Sequence, residues 1–296
     1  MIIENDLILV EVNELGAEIT RIYDKENKTE ILWDGNPKFW KRHSPILFPN
    51  VGKNFRNKVL INGKIYETSQ HGFARDNVFK SVESSENKGV FKLEATEETK
   101  KDYPFDFRLT ISYEIKDKDI HVNWKVENTD SVTIPFTIGG HPAFMFKEGD
   151  VKTDYVLKFP GKKQLDYILL DKETGTALPD KVYQLELEDE TCPLNDEMFE
   201  NDALVFDNTQ IEEVWLCYKD GRKRVGMLAK DFPNYGIWSV KDAPFVCLEP
   251  WVGRCDNYGF DKELATKPGI NLVEPKEKFQ KEVDRRWENL LYKCDR

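Results

Sequence analysis

The sequence predicts a mainly-β fold: a large antiparallel β-sandwich with few short helices, in one domain over residues 1–296. Three observations predict it. The dominant hydrophobic period is two, as in strands with one buried face. Turn signals recur along the chain, at Asp34-Gly35, Asn62-Gly63, Asn128 to Asp130 and Asp220-Gly221. Helical patterns are scarce and do not alternate with strands, which separates the chain from parallel α/β folds.

In chain order, Leu7–Val12 alternates apolar and polar residues and reads as a strand. Pro37–Trp40 reads as a single helical turn entered at Pro. Asn62-Gly63 between Val59–Ile61 and Lys64–Tyr66 reads as a tight hairpin, because both turn residues tolerate positive φ. Leu109–Ile115, Ile120–Val126, Val156–Phe159 and Val214–Tyr218 are further strands, and Pro193–Phe199 is a second short helical candidate. In Phe279–Tyr292, Phe279, Val283 and Trp287 fit a spacing of four and of two. This stretch is read as a strand followed by a short helical or frayed tail. No repeat, low-complexity tract or Ser/Gly linker interrupts the pattern.

Apolar residues make up 40% of the chain, charged residues 33% and aromatic residues 12%. This composition excludes disordered, collagen-like and disulfide-scaffold classes. No apolar run approaches the roughly 18 residues of a membrane helix. The start, MIIENDLILVEV, has acids where a secretory leader has basic residues. Net charge is −11, which argues against nucleic acid as a partner. Charge is uneven: residues 41–80 hold eight Lys/Arg against two acids, and residues 171–202 hold eleven acids against two lysines. Solvated faces are one reading; a border for an anionic or polar ligand is the other. The five cysteines, 192, 217, 247, 255 and 294, are odd in number and form no CxxC. They read as reduced thiols of a cytoplasmic protein, with Cys247 and Cys255 as buried filler.

Four histidines occur. His121 lies on the polar side of its strand and reads as solvated. His43, in Lys41-Arg42-His43-Ser44-Pro45, reads as surface. His71 stands in Gln70-His71-Gly72-Phe73-Ala74-Arg75-Asp76, and His141 in Gly139-Gly140-His141-Pro142-Ala143-Phe144. Both imidazoles sit beside glycines that allow a ligand to approach closely. Glu249, in Cys247-Leu248-Glu249-Pro250-Trp251, ends an apolar run. Buried there, it is either a structural ion-pair partner or a desolvated general base. Trp251 could stack on a sugar face or serve the core. No glycine-rich phosphate loop, HExxH, GxSxG or dinucleotide fingerprint occurs, so no NAD, ATP or other cofactor is expected. His71, His141 and Glu249 could in principle ligate a metal, but no close-set ligand pair supports it, and no metal is expected.

Taken together these segments resemble the aldose 1-epimerase (galactose mutarotase) family, most closely its bacterial LacX-like branch. The matching stretches are Leu15-Gly16-Ala17-Glu18-Ile19, Ile31-Leu32-Trp33-Asp34-Gly35, Trp40 through Pro49 with Val51-Gly52, Gln70 through Asp76, Gly140 through Phe144, and Cys247 through Trp251. The likeness runs from about residue 5 to about 285 and is specific as an ordered set. It implies the galactose mutarotase-like supersandwich and the interconversion of α and β anomers of a free aldose. It implies His141 as general acid on the ring oxygen, Glu249 as general base on the anomeric hydroxyl, and His71 holding a sugar oxygen. Asp202 is the best match for a hydroxyl-gripping aspartate, with Asp207 as competitor. Phe73, Phe144 and Trp251 are candidates for an aromatic floor. The branch usually carries arginine where this chain has Lys53, which loses the bidentate fork; Arg56 or Arg75 could substitute. Two alternatives stay open. One is a hexose 6-phosphate mutarotase with Lys41, Arg42, Lys53 and Arg56 near the phosphate; the other is a non-catalytic sugar-binding or regulatory protein. The expected partner is a small sugar, with neither nucleic acid nor membrane, in a cytoplasmic monomer or homodimer.

Overall fold

The computed structural model describes residues 1–286. Two large antiparallel sheets face each other. One has nine strands, in the order Thr191–Pro193, Tyr155–Lys158, Glu213–Tyr218, Lys223–Leu228, Lys278–Arg286, Asp119–Asn128, Phe107–Lys116, Lys88–Glu94 and Lys80–Ser84. The other has eight. Seven run in the order Ala177–Glu186, Gln164–Leu170, Leu204–Phe206, Asn234–Trp238, Phe245–Val252, Ile138–Gly140 and Ile46–Leu47, and Ala143–Met145 also pairs with Phe245–Val252. A four-stranded N-terminal sheet, Ile2–Glu4 through Thr29–Glu30, the hairpin Lys58–Ile61 with Lys64–Glu67, and a two-stranded sheet of Ile134–Phe136 and Asn271–Val273 complete the fold.

The period-two pattern becomes the sandwich directly. In Phe107–Lys116 and Asp119–Asn128, buried and half-buried residues alternate along the whole pair. Leu109, Ile111, Val122 and Trp124 turn inward and share one buried apolar core with Leu204, Phe206, Ile237 and Leu248 of the other large sheet. Each such burial contributes about 1.5–3 kcal/mol relative to exposure. Phe245–Val252 differs: all of its residues are buried. A strand covered on both faces reads as a continuous apolar run. Here Val246 and Leu248 join the inter-sheet core, while Cys247 and Trp251 belong to separate apolar clusters on the opposite face. That opposite face carries the site.

Most expected elements are present at slightly different bounds. Leu7–Val12 is the strand Ile8–Val12. The Asn62-Gly63 hairpin joins Lys58–Ile61 to Lys64–Glu67, with φ of 51° and 75° at the turn. Pro37–Trp40 is one turn, in which the N–H groups of Phe39 and Trp40 both donate to the Asn36 carbonyl. The helical candidate Pro193–Phe199 is corrected. Thr191–Pro193 is an edge strand, and the 3-10 turn is confined to Glu197–Phe199 because Asn195 Oδ1 accepts the Met198 N–H. Lys278–Arg286 is the expected C-terminal strand. Residues 287–292 of the expected tail, and Cys294, lie outside the described residues.

His121 is also corrected. Its Nδ1 lies 2.6 Å from Asp284 on the adjacent strand, a pairing 163 residues apart in the chain. The acidic stretch 171–202 contains the edge strand Ala177–Glu186, largely exposed along its length. Charges on an open edge discourage pairing with another chain. Among the described residues no helix is long and apolar enough to cross a membrane.

Candidate active site

The site grows from the strand Phe245–Val252. Glu249 projects from its cleft face and is 1% exposed. The neighbouring strand Ile138–Gly140 pairs with it, Gly139 opposite Trp251, and delivers His141 at its end. The His141 N–H donates to the Pro45 carbonyl, and the Pro142 carbonyl accepts the Leu248 N–H. These bonds bring His141 Nε2 to 3.3 Å from Glu249 Oε1. Trp40 stacks on the His141 ring at 4.7 Å, and Trp238 and His71 approach it edge-on at 5.6 and 5.5 Å. Three rings thus fix the imidazole plane.

His71 is placed by its backbone. Its φ is 67°, and its N–H donates to the Gly52 carbonyl. The Gly52 N–H in turn donates to His71 Nδ1 at 3.0 Å. Nδ1 is therefore the acceptor, which puts the ring proton on Nε2. His71 is a preset hydrogen-bond donor.

Trp251 lies flat over its neighbours because both are glycines. A Cβ at Gly139 would stand 2.4 Å from the Trp251 Cδ1, and one at Gly236 would stand 2.3 Å from its Cη2. The indole spans the two bare backbones and becomes the floor of a cleft of about 360 Å³. That volume falls toward the lower end of small-molecule sites. Lys53, Gln70, His71, Arg75, His141, Asp202, Glu249 and the indoles of Trp40, Trp238 and Trp251 line it.

Burial acts on the two facing groups in opposite senses. It pushes the His141 imidazole well down, and the Arg75 and Arg42 charges add to this. It pushes the Glu249 carboxyl well up, Asp202 adds to it, and the Trp251 indole opposes it. Both effects favour the uncharged forms of the two facing groups. Burial first, then His141, Arg75 and Arg42, hold His71 neutral as well. Burial and Arg42 lower the Arg75 guanidinium to about 10. Among the described residues, His141 Nδ1, Glu249 Oε2 and Trp251 Nε1 are buried without a hydrogen-bond partner. Such groups cost free energy unless a ligand or water meets them.

His71, His141, Glu249, Asp202, Arg75, Lys53 and Trp251 line one cleft, although they come from distant segments. Arg56 does not: it is exposed, lies over the Phe55 ring at 5.0 Å, and borders a separate groove with Tyr258 and Lys262. The positive φ of 57° at Arg56 turns it away. Phe73 and Phe144 are corrected too. Phe73 packs on Phe48, Tyr103 and Phe107, and Phe144 is fully buried in the core. Arg42 pairs with Asp76 at 2.8 Å, and neither it nor Lys41 lines the cleft. Asp207 is occupied by Arg254 and Asn234, whereas Asp202 stands in the cleft wall with φ of 73°. His43 lies outside the lining. Its N–H donates to Glu18 and its Nε2 meets the Asp34 carbonyl. Sequence reasoning missed Trp40, Trp238 and Lys172. Trp40 stood inside a quoted motif, and Trp238 two residues after Gly236; Lys172 lay in a stretch read only for its acids.

His141, Cys247 and Glu249 present ligand atoms within 4.8 Å of one another, a set that includes Cys247 rather than His71. A cation there would need a thiolate, and burial with Glu249 pushes the Cys247 thiol well above its ordinary value.

Comparison with known proteins follows the same lines. The family model described as aldose 1-epimerase matches residues 1–256. The chain is 31% identical over 293 residues to the chromosomal protein LacX of Lactococcus lactis subsp. lactis, covering 95% of this chain and 97% of that one. The crystal structure of a galactose mutarotase related enzyme from Lactobacillus acidophilus superposes with a TM-score of 0.92 at 31% identity, covering 98% of this chain and 97% of that one. A galactose mutarotase-like protein from Lactobacillus casei ATCC 334 gives 0.88 at 28% identity, with 97% and 99% covered. By its family match, its full-length relatives and its two-sheet architecture, the chain belongs to the aldose 1-epimerase family.

Proposed function

We propose that the cleft interconverts the α and β anomers of an aldose through its open-chain form. One observation carries the reading: an imidazole and a carboxyl group, both buried, face each other at 3.3 Å in the lining of the cleft, and each keeps one polar atom without a hydrogen-bond partner among the described residues. The ring oxygen and the anomeric hydroxyl of a cyclic sugar share one carbon. An acid and a base that serve both must therefore line the same small cleft.

In the active form the proton of the pair lies on His141. Glu249 takes the proton of the anomeric hydroxyl while His141 protonates the ring oxygen. The C1–O5 bond breaks and C1 becomes an aldehyde. Rotation about C1–C2 presents the other carbonyl face, O5 adds to C1, His141 recovers its proton from O5 and Glu249 returns its own to O1. Product and substrate are isomers, so no electron or group is left over. His71 Nε2–H donates to a sugar oxygen throughout, Arg75 and Asp202 bind hydroxyls, and Trp251 supports an apolar sugar face.

Anomer exchange measured by NMR magnetisation transfer between α and β C1 protons tests this. The wild-type chain should accelerate exchange above a protein-free control, and Glu249→Gln and His141→Ala should each lose about 10²–10⁴-fold. Sugar binding without acceleration would instead establish a non-catalytic carbohydrate-binding protein.

A further inference from the structure

We propose that the cleft carries a phosphomonoester subsite, formed by Lys53 and Lys172, so that its preferred substrate is a phosphorylated aldose. This rests on the mutarotase reading of the same cleft. The chain as a whole carries −11, yet its cleft wall is positive: Lys53, Lys172 and Arg75 face one charged carboxylate, Asp202. The other carboxyl of the wall, Glu249, is pushed by burial toward its uncharged form.

Lys172 sits on a turn, and Lys53 reaches that turn from a distant segment of the chain. The Gly175 N–H donates to the Asp171 carbonyl and closes the turn that carries Lys172. Lys53 lies across Gly175, with its Cδ 2.9 Å and its Nζ 3.5 Å from where a Cβ would stand. A side chain at position 175 would push Lys53 out of the wall. Neither ammonium is neutralised among the described residues. Two acids flank Lys172 in sequence: Asp171 is turned into its own loop, accepting the Thr174 N–H and Oγ1–H at 2.8 and 2.7 Å, and Glu173 is exposed and does not line the cleft. Asp202 accepts the Ala203 N–H at 2.8 Å. Two unpaired ammoniums match the −1.5 to −2 charge of a phosphomonoester near neutral pH. Lysine acts on phosphate as a point charge and needs no fork, which fits Lys53 where an arginine would bind bidentately. Lys41, Arg42 and Arg56, the other basic residues of the 41–80 stretch nearest in sequence, take no part, since none lines the cleft.

The test compares glucose, glucose 6-phosphate and glucuronate in the anomer-exchange assay, for the wild type, Lys53→Met and Lys172→Met, at low and at near-physiological salt. The wild type should favour the phosphate over glucose by tenfold or more in kcat/KM. Each substitution should lower that phosphate-to-glucose ratio by about tenfold, the size expected for one charge-assisted contact. The ratio should also fall as salt rises, because the ammoniums are solvent-accessible. Calorimetric titration of glucose 6-phosphate into Glu249→Gln reads the subsite without turnover, and binding there should weaken with either lysine replaced. Equal rates on glucose and its phosphate, unmoved by the substitutions, would overturn the subsite and leave the mutarotase reading intact. Lysine-dependent phosphate binding with no exchange on any sugar would do the reverse. Glucuronate matching the phosphate would overturn the phosphomonoester assignment in favour of a carboxylate.

Discussion

Replacing Gly236 with alanine tests how the cleft floor is built. A glycine inside a strand costs about 0.5–1 kcal/mol relative to alanine, so an unobstructed Gly236→Ala should stabilise the chain. The site is obstructed. The new methyl would stand 2.3 Å from Trp251 Cη2 and Cζ2, and carbon contacts are optimal near 3.5–4.0 Å. The other edge of the indole already lies close over the bare Gly139 backbone, where a Cβ would stand 2.4 Å from Cδ1, so the ring must tilt to make room. Overpacking of this kind costs about 1–3 kcal/mol, which exceeds the propensity gain. The net expectation is a loss of about 1–2 kcal/mol in urea unfolding, with a raised KM, because the indole must tilt into the cleft. Trp251→Phe removes the ring that is struck. The double variant should therefore be less destabilised than the two single losses predict, by at least about 0.5 kcal/mol. Gly236→Ala with unchanged or increased stability, or strictly additive losses in the double variant, would refute the claim that Trp251 lies flat because its neighbours have no side chains.

Three further outcomes follow from buried charge. Glu249→Gln should unfold at nearly the wild-type temperature while losing activity, because burial pushes the carboxyl toward its uncharged form and the amide is its near isostere; calorimetry alongside the exchange assay checks both. His71 is held below its ordinary value, so below about pH 6.5 only the unfolded chain takes that proton and folding weakens as pH falls. His71→Asn should remove that dependence, flattening the stability curve by up to about 1.4 kcal/mol per pH unit on the acid side, as read by denaturant titrations at pH 7 and pH 5. Arg285 is 1% exposed, donates to Ser44 Oγ at 2.9 Å, and has Nε and Nη1 unpartnered among the described residues. Arg285→Met should leave stability within about 1 kcal/mol of wild type or raise it, since a buried cation without a carboxylate gains little from its surroundings. A loss above about 3 kcal/mol would show that the guanidinium is fully paired in solution.

Period and turn chemistry carried the fold a long way. The alternation in Ile120–Val126 and the Asn62-Gly63 turn state their structures locally, because side-chain direction and positive φ are local properties. Pairing between distant strands is not local. Nothing near His121 announces Asp284, and nothing near Pro193 announces that Thr191–Pro193 pairs with Tyr155–Lys158. The ends of the 3-10 turn at Glu197–Phe199 depend on one Asn195 hydrogen bond, which period alone does not register.

The candidate site divides along the same line. His71, His141 and Glu249 stood out because each interrupts its surroundings: an imidazole beside glycine, a carboxyl ending an apolar run. Their convergence required the register that sets Gly139 opposite Trp251 and Gly236 opposite Glu249. Aromatic residues were harder to assign, since Phe73 and Trp40 both suit a core and a sugar face; only the side of the strand or turn they occupy separates them. The basic residues show why composition misleads at this scale. Arg56 and Lys53 lie three residues apart and were read together, yet a positive φ at Arg56 sends it to another groove while Lys53 folds across Gly175 into the cleft. Lys172, from the most acidic stretch of the chain, stands on the same wall as Lys53. Local charge therefore describes a segment, and the charge that a ligand meets is set by which few side chains the sheet edges and turns bring to one surface.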